Sequence, residues 1–409
     1  MIAIAALSFV SLILSPRNLV LILGQGEAEN KSDVQATGPY EVVKDWPRPL
    51  SELPGHEKWT WGAMPAVFAQ NPNRIFVGMR GEIPKLQRPA SIAVPQFGPG
   101  LAFPIGSLPF RNASTGPVGS LPEGEGKITW TGKVGVDARW EHSLFVLNAD
   151  GKIIEAWTQW DALIKLPHMV LINPYDPEKH VWVVDDMRNQ IFEFTNDGEK
   201  LVLTLGEKDV PGDDDKHFAR PTDITWLPDG TMFVSDGYVN SRVVKFDKNG
   251  KYLMSWGQAG RLPNEKRPNY FNVVHAVAVD AQRRVYVDDR SNHRIQIFDE
   301  NGKYLAQWYL GDHAEIDSIV ISADQYLWMC GGTTNRIYKY DLTGHMLYSW
   351  GTMGDFPGAF WGPHSFSVDQ DGNLYVAEAL NGRLQKFTPR KGVDPDLLVG
   401  QPVRAAWKD

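Results

Sequence analysis

Cysteine is almost absent from this chain. Cys330 is the only one in 409 residues, so no intrachain disulfide can form. Clusters of lysine and arginine are also missing, and the formal net charge is −8. Both features argue against nucleic acid as a partner, because nucleic-acid-binding surfaces neutralise phosphates with clustered basic side chains. Beyond the first thirty residues, no apolar run reaches the roughly 18 residues that a membrane-spanning helix needs.

The first thirty residues differ in composition from the rest. Residues 2–14 form an apolar run of the length found in the hydrophobic region of a signal peptide, and residues 24–38 are mainly polar. We therefore predict that residues 1–28 are an export segment, that the protein is periplasmic or secreted, and that the processed chain has no membrane span. A misassigned start codon is the alternative, because no basic residue precedes the apolar run.

Short strands separated by turns recur along the chain, as in residues 217–257. Alternating apolar residues there predict four strands, with turns at Pro228-Asp229-Gly230 and Lys248-Asn249-Gly250. The third strand of five such units ends in an aromatic residue, namely Phe194, Phe246, Phe298, Tyr340 and Phe387. The period of roughly 40–50 residues is the spacing of propeller blades.

Counting an interrupted first unit, the chain holds six of these repeats. The sequence thus predicts an all-β, six-bladed β-propeller over residues 39–400. The alternating segment 40–46 stands apart from the repeats and is predicted to close the last blade. A Gly/Pro-rich insertion near residues 82–136 interrupts the first blade, and an insertion of this kind is either a functional lid or disordered.

An N-x-R pattern follows the second strand in several units. It occurs at 240–242, 292–294 and 381–383, with a shortened form at 335–336. Its expected role is structural, with the amide and guanidinium joining adjacent turns. These repeats resemble the NHL family of propellers over nearly the whole predicted mature chain.

Three histidines share one position in alternate units. His168, His275 and His364 stand near the start of the innermost strand in units two, four and six, where Thr222 and Asp317 stand in units three and five. Alternate blades of a six-bladed ring lie about 120° apart, so three imidazoles at this position are expected to face one axial site. That is the ligand set of a catalytic zinc site with one open position, although imidazole also suits copper, iron and nickel. Channel-facing histidines that only donate hydrogen bonds are the alternative.

Two further side chains are candidates for chemistry at the same end of the channel. Tyr238 lies in the loop after the second strand of unit three, and a nearby cation would lower the pKa of its phenol and make it a usable base. Arg80 ends a strand of the first unit and could bind a substrate carboxylate through two hydrogen bonds. The alternatives are a tyrosine that packs on the next blade and a solvated strand-end arginine.

Several short motifs together resemble the peptidyl-α-hydroxyglycine α-amidating lyase family. They are LPH at 166–168, SDGY at 235–238 within a longer match, the unit of His275, GPH at 362–364, and RG at 80–81. The resemblance implies that His168, His275 and His364 bind a catalytic zinc ion. It also implies that Tyr238 is the base, that Arg80 is its electrostatic partner, and that calcium has a structural role.

The sequence also departs from this family at three positions. Val239 follows the motif tyrosine where animal enzymes have a cysteine, and Ser365 follows the last histidine where the family has an acidic residue. Gly362 stands where the family has a methionine two residues before that histidine. The histidine triad itself matches the family.

The resemblance leads to one expected function and leaves two alternatives open. The expected function is that of a monomeric zinc-dependent carbon–nitrogen lyase. It would act on a small molecule or peptide with a carboxylate, and would cleave a carbinolamide to an amide and glyoxylate. One alternative is another metal-dependent propeller lyase or hydrolase, for example one that opens lactones. The other is an exported NHL binding propeller without catalytic activity, since one fold hosts many functions.

Overall fold

Six four-stranded antiparallel sheets form the ring of a β-propeller in this computed structural model, which describes residues 36–85, 92–93, 102–103, 138–260, 265–379 and 382–407. From the innermost strand outward, blade 1 consists of Ala66–Asn71, Arg74–Gly78, Leu144–Leu147 and Ile153–Ala156. Blade 2 consists of Pro167–Ile172, Val181–Asp185, Gln190–Phe194 and Leu201–Leu205. Blade 3 consists of Pro221–Trp226, Met232–Asp236, Arg242–Phe246 and Tyr252–Trp256. In the same order, blade 4 consists of Val274–Val279, Val285–Asp289, Arg294–Phe298 and Tyr304–Tyr309. Blade 5 consists of Ile316–Ile321, Leu327–Gly331, Arg336–Tyr340 and Met346–Trp350. Blade 6 consists of Pro363–Val368, Leu374–Glu378, Arg383–Pro389 and Tyr40–Val42. The prediction of six blades is confirmed.

The ring is closed by the two ends of the described chain. The innermost strand of each blade contacts those of its neighbours, and that of blade 6 contacts that of blade 1. Tyr40–Val42 pairs antiparallel with Arg383–Pro389 as the outermost strand of blade 6. The predicted closing strand is therefore confirmed, although it is shorter than the segment 40–46.

The hydrophobic core lies between neighbouring blades. The second strands of blades 2 to 6 are buried along their whole length, as in Val181–Asp185 and Val285–Asp289, because each is covered on both faces by an adjacent sheet. The recurring third-strand aromatics take part in this packing: Phe246 lies 5.9 Å from Phe218 between ring centroids, and Phe298 lies 5.8 Å from Trp256. The period read from the sequence thus reflects packing between blades.

The N-x-R motif is structural, as expected. Asp236 ends the second strand of blade 3, is fully buried, and accepts hydrogen bonds from Asn240 Nδ2 at 2.7 Å and Arg242 Nε at 2.9 Å. Arg242 also donates to the carbonyl of His217 at 2.7 Å, which joins this loop to the preceding one. Asp289 takes the same part for Asn292 and Arg294 in blade 4. Asn381 lies outside the described residues.

Three short two-stranded sheets in the described part of the chain lie outside the six blades, and one of them is the parallel pair of Gln258–Ala259 with Tyr270–Phe271. Trp59–Trp61 pairs with Glu82–Pro84, so the start of the predicted insertion is a strand, and Ile92–Ala93 pairs with Ala102–Phe103. Most of the insertion 82–136 and the whole predicted export segment 1–28 lie outside the described residues, so both remain predictions. Within the described part of the chain, no helix has the length and apolarity needed to cross a membrane.

Tyr40 offers a test of ring closure. Its side chain is fully buried against Trp350, and its hydroxyl accepts a hydrogen bond from the backbone nitrogen of Val399 at 2.8 Å. We expect Tyr40→Ala to lower the free energy of unfolding by about 3–5 kcal/mol, since it opens a cavity where the ring closes. Tyr40→Phe should cost only about 1 kcal/mol, because it removes the hydrogen bond alone. Urea denaturation of both variants measures the free energies of unfolding. Equal values would contradict the prediction that the aromatic side chain of Tyr40 stabilises closure of the propeller.

Candidate metal centre and active site

A register shift places each of the three histidines. Between the first two strands of blades 2, 4 and 6, the pairing slips at one residue, which is His168, His275 and His364 respectively. A β-bulge leaves its extra residue unpaired and redirects the side chain. In this fold it turns the three imidazoles toward the axis of the channel, where they meet.

The three rings form one tight buried group. Their centroids lie 4.9 Å apart for His168 and His275, 4.6 Å for His168 and His364, and 5.2 Å for His275 and His364. One nitrogen of each lies within 4.8 Å of the others. The side chains expected to share an axial site therefore do lie together.

Backbone carbonyls of the intervening blades orient the imidazoles. Nδ1 of His168 lies 2.6 Å from the oxygen of Thr222, Nδ1 of His275 lies 2.9 Å from that of Asp317, and Nδ1 of His364 lies 2.8 Å from that of Pro65. A carbonyl oxygen can only accept, so each Nδ1 must carry the proton and donate it. In the neutral rings each Nε2 then has a lone pair available, which is the second-sphere arrangement found around metal-binding histidines.

Burial keeps these lone pairs free of protons. It holds the pKa of all three histidines well below the ordinary value, and nearby arginines add to the effect, Arg80 at His168 and Arg290 at His275. The imidazoles are consequently neutral at pH 7, as metal ligands must be. The donor set fits a zinc-type ion with one coordination position open.

Tyr238 lies directly against this group. Its hydroxyl oxygen is 3.0 Å from Nε2 of His168 and 3.0 Å from Nε2 of His275. A phenol has one proton and can donate to only one of two such nitrogens. Gly237 makes the approach possible, because a Cβ at that residue would come within 1.8 Å of the carbonyl oxygen of Val274. The SDGY motif therefore needs a glycine at 237, because its backbone there passes too close to the backbone of Val274 for any side chain.

Arginines surround the phenol. The guanidinium carbon of Arg220 lies 4.5 Å from the centroid of the Tyr238 ring, and that of Arg290 lies 5.3 Å away. Burial raises the pKa of Tyr238, while Arg290 and Arg80 oppose the rise. The arginines alone thus leave the phenol above its ordinary pKa, and a further cation at the histidines is needed to make it acidic.

The arginine side chains also have unused donors. Arg290 pairs with Asp317 at 3.1 Å and Arg220 pairs with Asp186. Among the described residues, the buried Nε atoms of Arg80, Arg220 and Arg290 have no hydrogen-bond partner. Asp288 and Glu315 also lie near Arg290. The unused guanidinium donors, rather than a net charge, are what suit an anionic ligand.

Arg220 and Arg290 were not predicted as site residues. Arg290 could have been found by comparing blades 1 and 4. Gly78 pairs with Ala66 in blade 1, and Asp288 pairs with Ala276 in blade 4. Arg80 stands two residues after Gly78, and Arg290 stands two residues after Asp288. Arg220 carries no such signal, since its place depends on the loop that brings it over Tyr238.

The residue after His364 is a serine and offers no carboxylate to a calcium ion. Ser365 follows His364, and its hydroxyl accepts a hydrogen bond from the backbone nitrogen of Val67 at 3.0 Å. Asp223 takes the corresponding position in blade 3 and accepts in the same way from Val277 at 3.1 Å. Burial raises the pKa of Asp223 to about 7, so its charge is only partly present at neutral pH. These side chains accept hydrogen bonds from the inner backbone of the channel, and the structural calcium stays a prediction.

Known proteins share this sequence pattern. The sequence model of the NHL repeat matches residues 271–298 and 360–387. Peptidyl-glycine alpha-amidating monooxygenase A of Xenopus laevis is 34% identical over 238 residues, which cover 56% of this chain and 25% of that protein. Peptidyl-alpha-hydroxyglycine alpha-amidating lyase 1 of Drosophila melanogaster is 30% identical over 271 residues, which cover 61% of this chain and 49% of that protein. The chain thus spans a quarter to a half of the length of these relatives.

Similarity to solved structures is weaker. A streptogramin B lyase structure aligns with a TM-score of 0.45 and 12% identity, covering 81% of this chain and 94% of that one. A putative gluconolactonase aligns with a TM-score of 0.44 and 12% identity, covering 60% of this chain and 80% of that one. Neither similarity is close enough to bear on function.

His275→Ala tests the metal centre. We expect this variant to lose one equivalent of bound transition metal relative to the wild type after incubation with zinc, because two imidazoles are too few for a catalytic-type site. Elemental mass spectrometry of the purified proteins measures it. His345→Ala is the control, since the side chain of His345 is 79% exposed and lies outside the triad. Equal metal content in the wild type and His275→Ala would contradict a metal site at the triad.

Proposed function

We propose that this chain is a metal-dependent lyase, because two segments match the NHL repeat and parts of the chain are 30–34% identical to peptidyl-α-hydroxyglycine α-amidating lyases. Its proposed reaction cleaves the C–N bond of a carbinolamide and yields an amide and glyoxylate. The observation that carries the proposal is the position of the Tyr238 hydroxyl, 3.0 Å from two Nε2 atoms of the triad.

The triad is the proposed binding site for zinc. His168, His275 and His364 would hold the ion through their Nε2 atoms, since each Nδ1 is engaged with a carbonyl. The ion supplies Lewis acidity, which makes a hydroxyl group of the substrate easier to deprotonate. Calcium has no part in the proposal, because Ser365 brings a hydroxyl that is already used.

The arginines would bind the carboxylate of the substrate. Arg80 and Arg290 hold corresponding positions in blades 1 and 4, and both influence the pKa of Tyr238, so both lie at the mouth of the site. A guanidinium pairs with a carboxylate through two parallel hydrogen bonds and fixes its orientation as well as its charge. This contact would place the neighbouring carbon, with its hydroxyl, toward Tyr238.

Tyr238 would act as the base. Its phenolate oxygen takes the proton of the substrate hydroxyl, and the electron pair of that O–H bond becomes the new C=O bond of glyoxylate. The C–N bond breaks, and the nitrogen leaves with its bonding electrons and gains a proton. Tyr238 is positioned to return the proton that it took, which leaves the enzyme unchanged and the equation balanced.

Two further features belong to the proposal. We expect a monomer, because ring closure leaves the sheets without a long unpaired inner edge. We also expect export to the periplasm or outside the cell, which rests on the apolar run at 2–14.

Assay of glyoxylate from an α-hydroxyglycine-extended peptide tests the reaction itself. Ring-opened acid from a lactone, without glyoxylate, would favour the hydrolase alternative instead.

Tyr238→Phe separates base catalysis from metal binding. We expect kcat to fall by roughly 10²–10⁴-fold, the usual contribution of a general base, while the metal content stays at the wild-type level. Steady-state glyoxylate release and elemental analysis of one preparation give both values. Tyr252→Phe is the matched control, because Tyr252 lies on the outermost strand of blade 3. Unchanged turnover in Tyr238→Phe would exclude Tyr238 as the base.

Arg290→Lys tests recognition of the carboxylate. Loss of the paired hydrogen bonds should lower kcat/KM by roughly 10–100-fold, as expected for one or two charged hydrogen bonds. A substrate whose carboxylate is replaced by a carboxamide should lose much less. The control is Arg283→Lys, because Arg283 pairs with Asp229 and Glu300 outside the site. An equal loss on both substrates would show that Arg290 does not read the carboxylate.

A further inference from the structure

A second group of metal-ligating side chains lies beside the ring, apart from the triad. Nδ1 of His56 is 2.8 Å from Oε2 of Glu82, and Nδ1 of His142 is 2.7 Å from Oε1 of the same carboxylate. Nε2 of His56 is 3.9 Å from Oε2 of Glu141. One donor atom from each of the four residues lies within 4.8 Å of the others.

The group joins both ends of the first-blade insertion. Glu82 begins the strand Glu82–Pro84, and His142 lies two residues before the strand Leu144–Leu147. Between them, the backbones of Glu82 and Arg139 exchange hydrogen bonds at 2.7 and 2.9 Å. His56 comes from the segment just before Trp59–Trp61, which pairs with Glu82–Pro84. Three separate parts of the chain therefore converge on one carboxylate.

The charge of Glu82 calls for a cation. Glu82 is fully buried, and a buried carboxylate needs a neighbouring cation as well as the hydrogen bonds that the two imidazoles supply. Arg139 is 3.9 Å away and is itself bound to Glu141, through two hydrogen bonds at 3.1 and 2.6 Å. A buried carboxylate held between two imidazoles is a common ligand set for zinc.

The backbone at His142 supports a built site. His142 has φ of 57°, in the left-handed region that non-glycine residues seldom adopt, and its imidazole is buried. Its backbone nitrogen donates to Asp161 at 3.2 Å, which holds this conformation. Residues held in such conformations cluster at ligand-binding sites.

We propose that His56, Glu82 and His142, with Glu141 as the fourth ligand, bind a zinc-type ion that fastens the two ends of the insertion together. A tetrahedral ion with bonds of about 2.0–2.1 Å separates its ligand atoms by roughly 3.3 Å. The two distances from Nδ1 to the Glu82 carboxylate, 2.8 and 2.7 Å, are roughly 0.5 Å shorter than that separation, so small side-chain adjustments suffice. The site is structural and independent of the proposed lyase reaction.

Cobalt titration in a background without the triad tests this proposal. His275→Ala should still bind one equivalent of Co²⁺, with the visible absorption of a tetrahedral site, and chelator should lower its thermal midpoint. The added substitution His142→Asn should abolish both effects, because an amide can still donate to Glu82 but is a poor ligand. Adding His180→Ala instead should change neither, and this is the matched control, since His180 lies in a separate group with Asp176 and Glu193.

Two results would overturn the proposal. One is that His275→Ala binds no Co²⁺, and the other is that it binds one equivalent that His142→Asn does not remove. Wild-type protein compared with His275→Ala reports on the triad alone, so failure of the lyase proposal and failure of the second site are distinguishable. A native-like circular dichroism spectrum of His142→Asn shows that loss of metal is not loss of fold.

Discussion

The hydrogen bonds between the three Nδ1 atoms and the backbone carbonyls of Thr222, Asp317 and Pro65 are the interaction on which the site depends. They fix the protonated nitrogen of each imidazole and turn the unprotonated nitrogen toward the axis. They also alternate around the ring, because the even blades bring the imidazoles and the odd blades bring the carbonyls. The histidine triad is thus built from contacts between blades, and it exists only when the ring is closed.

Electrostatics at the mouth of the channel follow from the same ring. Arg80 and Arg290 come from blades 1 and 4, and Arg220 enters from the loop before blade 3, so their positive charge converges only in the closed fold. Burial alone would keep Tyr238 protonated. Cationic neighbours oppose that effect, and this balance links the proposed base to both the proposed metal ion and the anionic end of the proposed substrate.

The number of blades and the meeting of the three histidines could be predicted from the sequence, because the same pattern recurs at equivalent positions of several repeats. Recurring strands and the third-strand aromatics predicted six blades, and the shared position of His168, His275 and His364 predicted that they would meet. Arg220 could not be predicted, since its position over Tyr238 depends on a loop with a left-handed residue, Arg220 itself at φ of 62°. The sequence likewise did not predict the pairing of Glu82 with His56 and His142, because these residues do not occupy equivalent positions in the repeats.

The sequence by itself determined the fold and the number of blades, because strand alternation and turn residues act over short distances and recur. It also determined which blades carry histidine. Tertiary structure alone decided which nitrogen of each imidazole faces the axis, through bulges and carbonyls of neighbouring blades. It likewise decided that Gly237 must lack a Cβ, since the carbonyl of Val274 comes from another blade. Those features depend on contacts between residues far apart in the chain, which only the closed ring brings together.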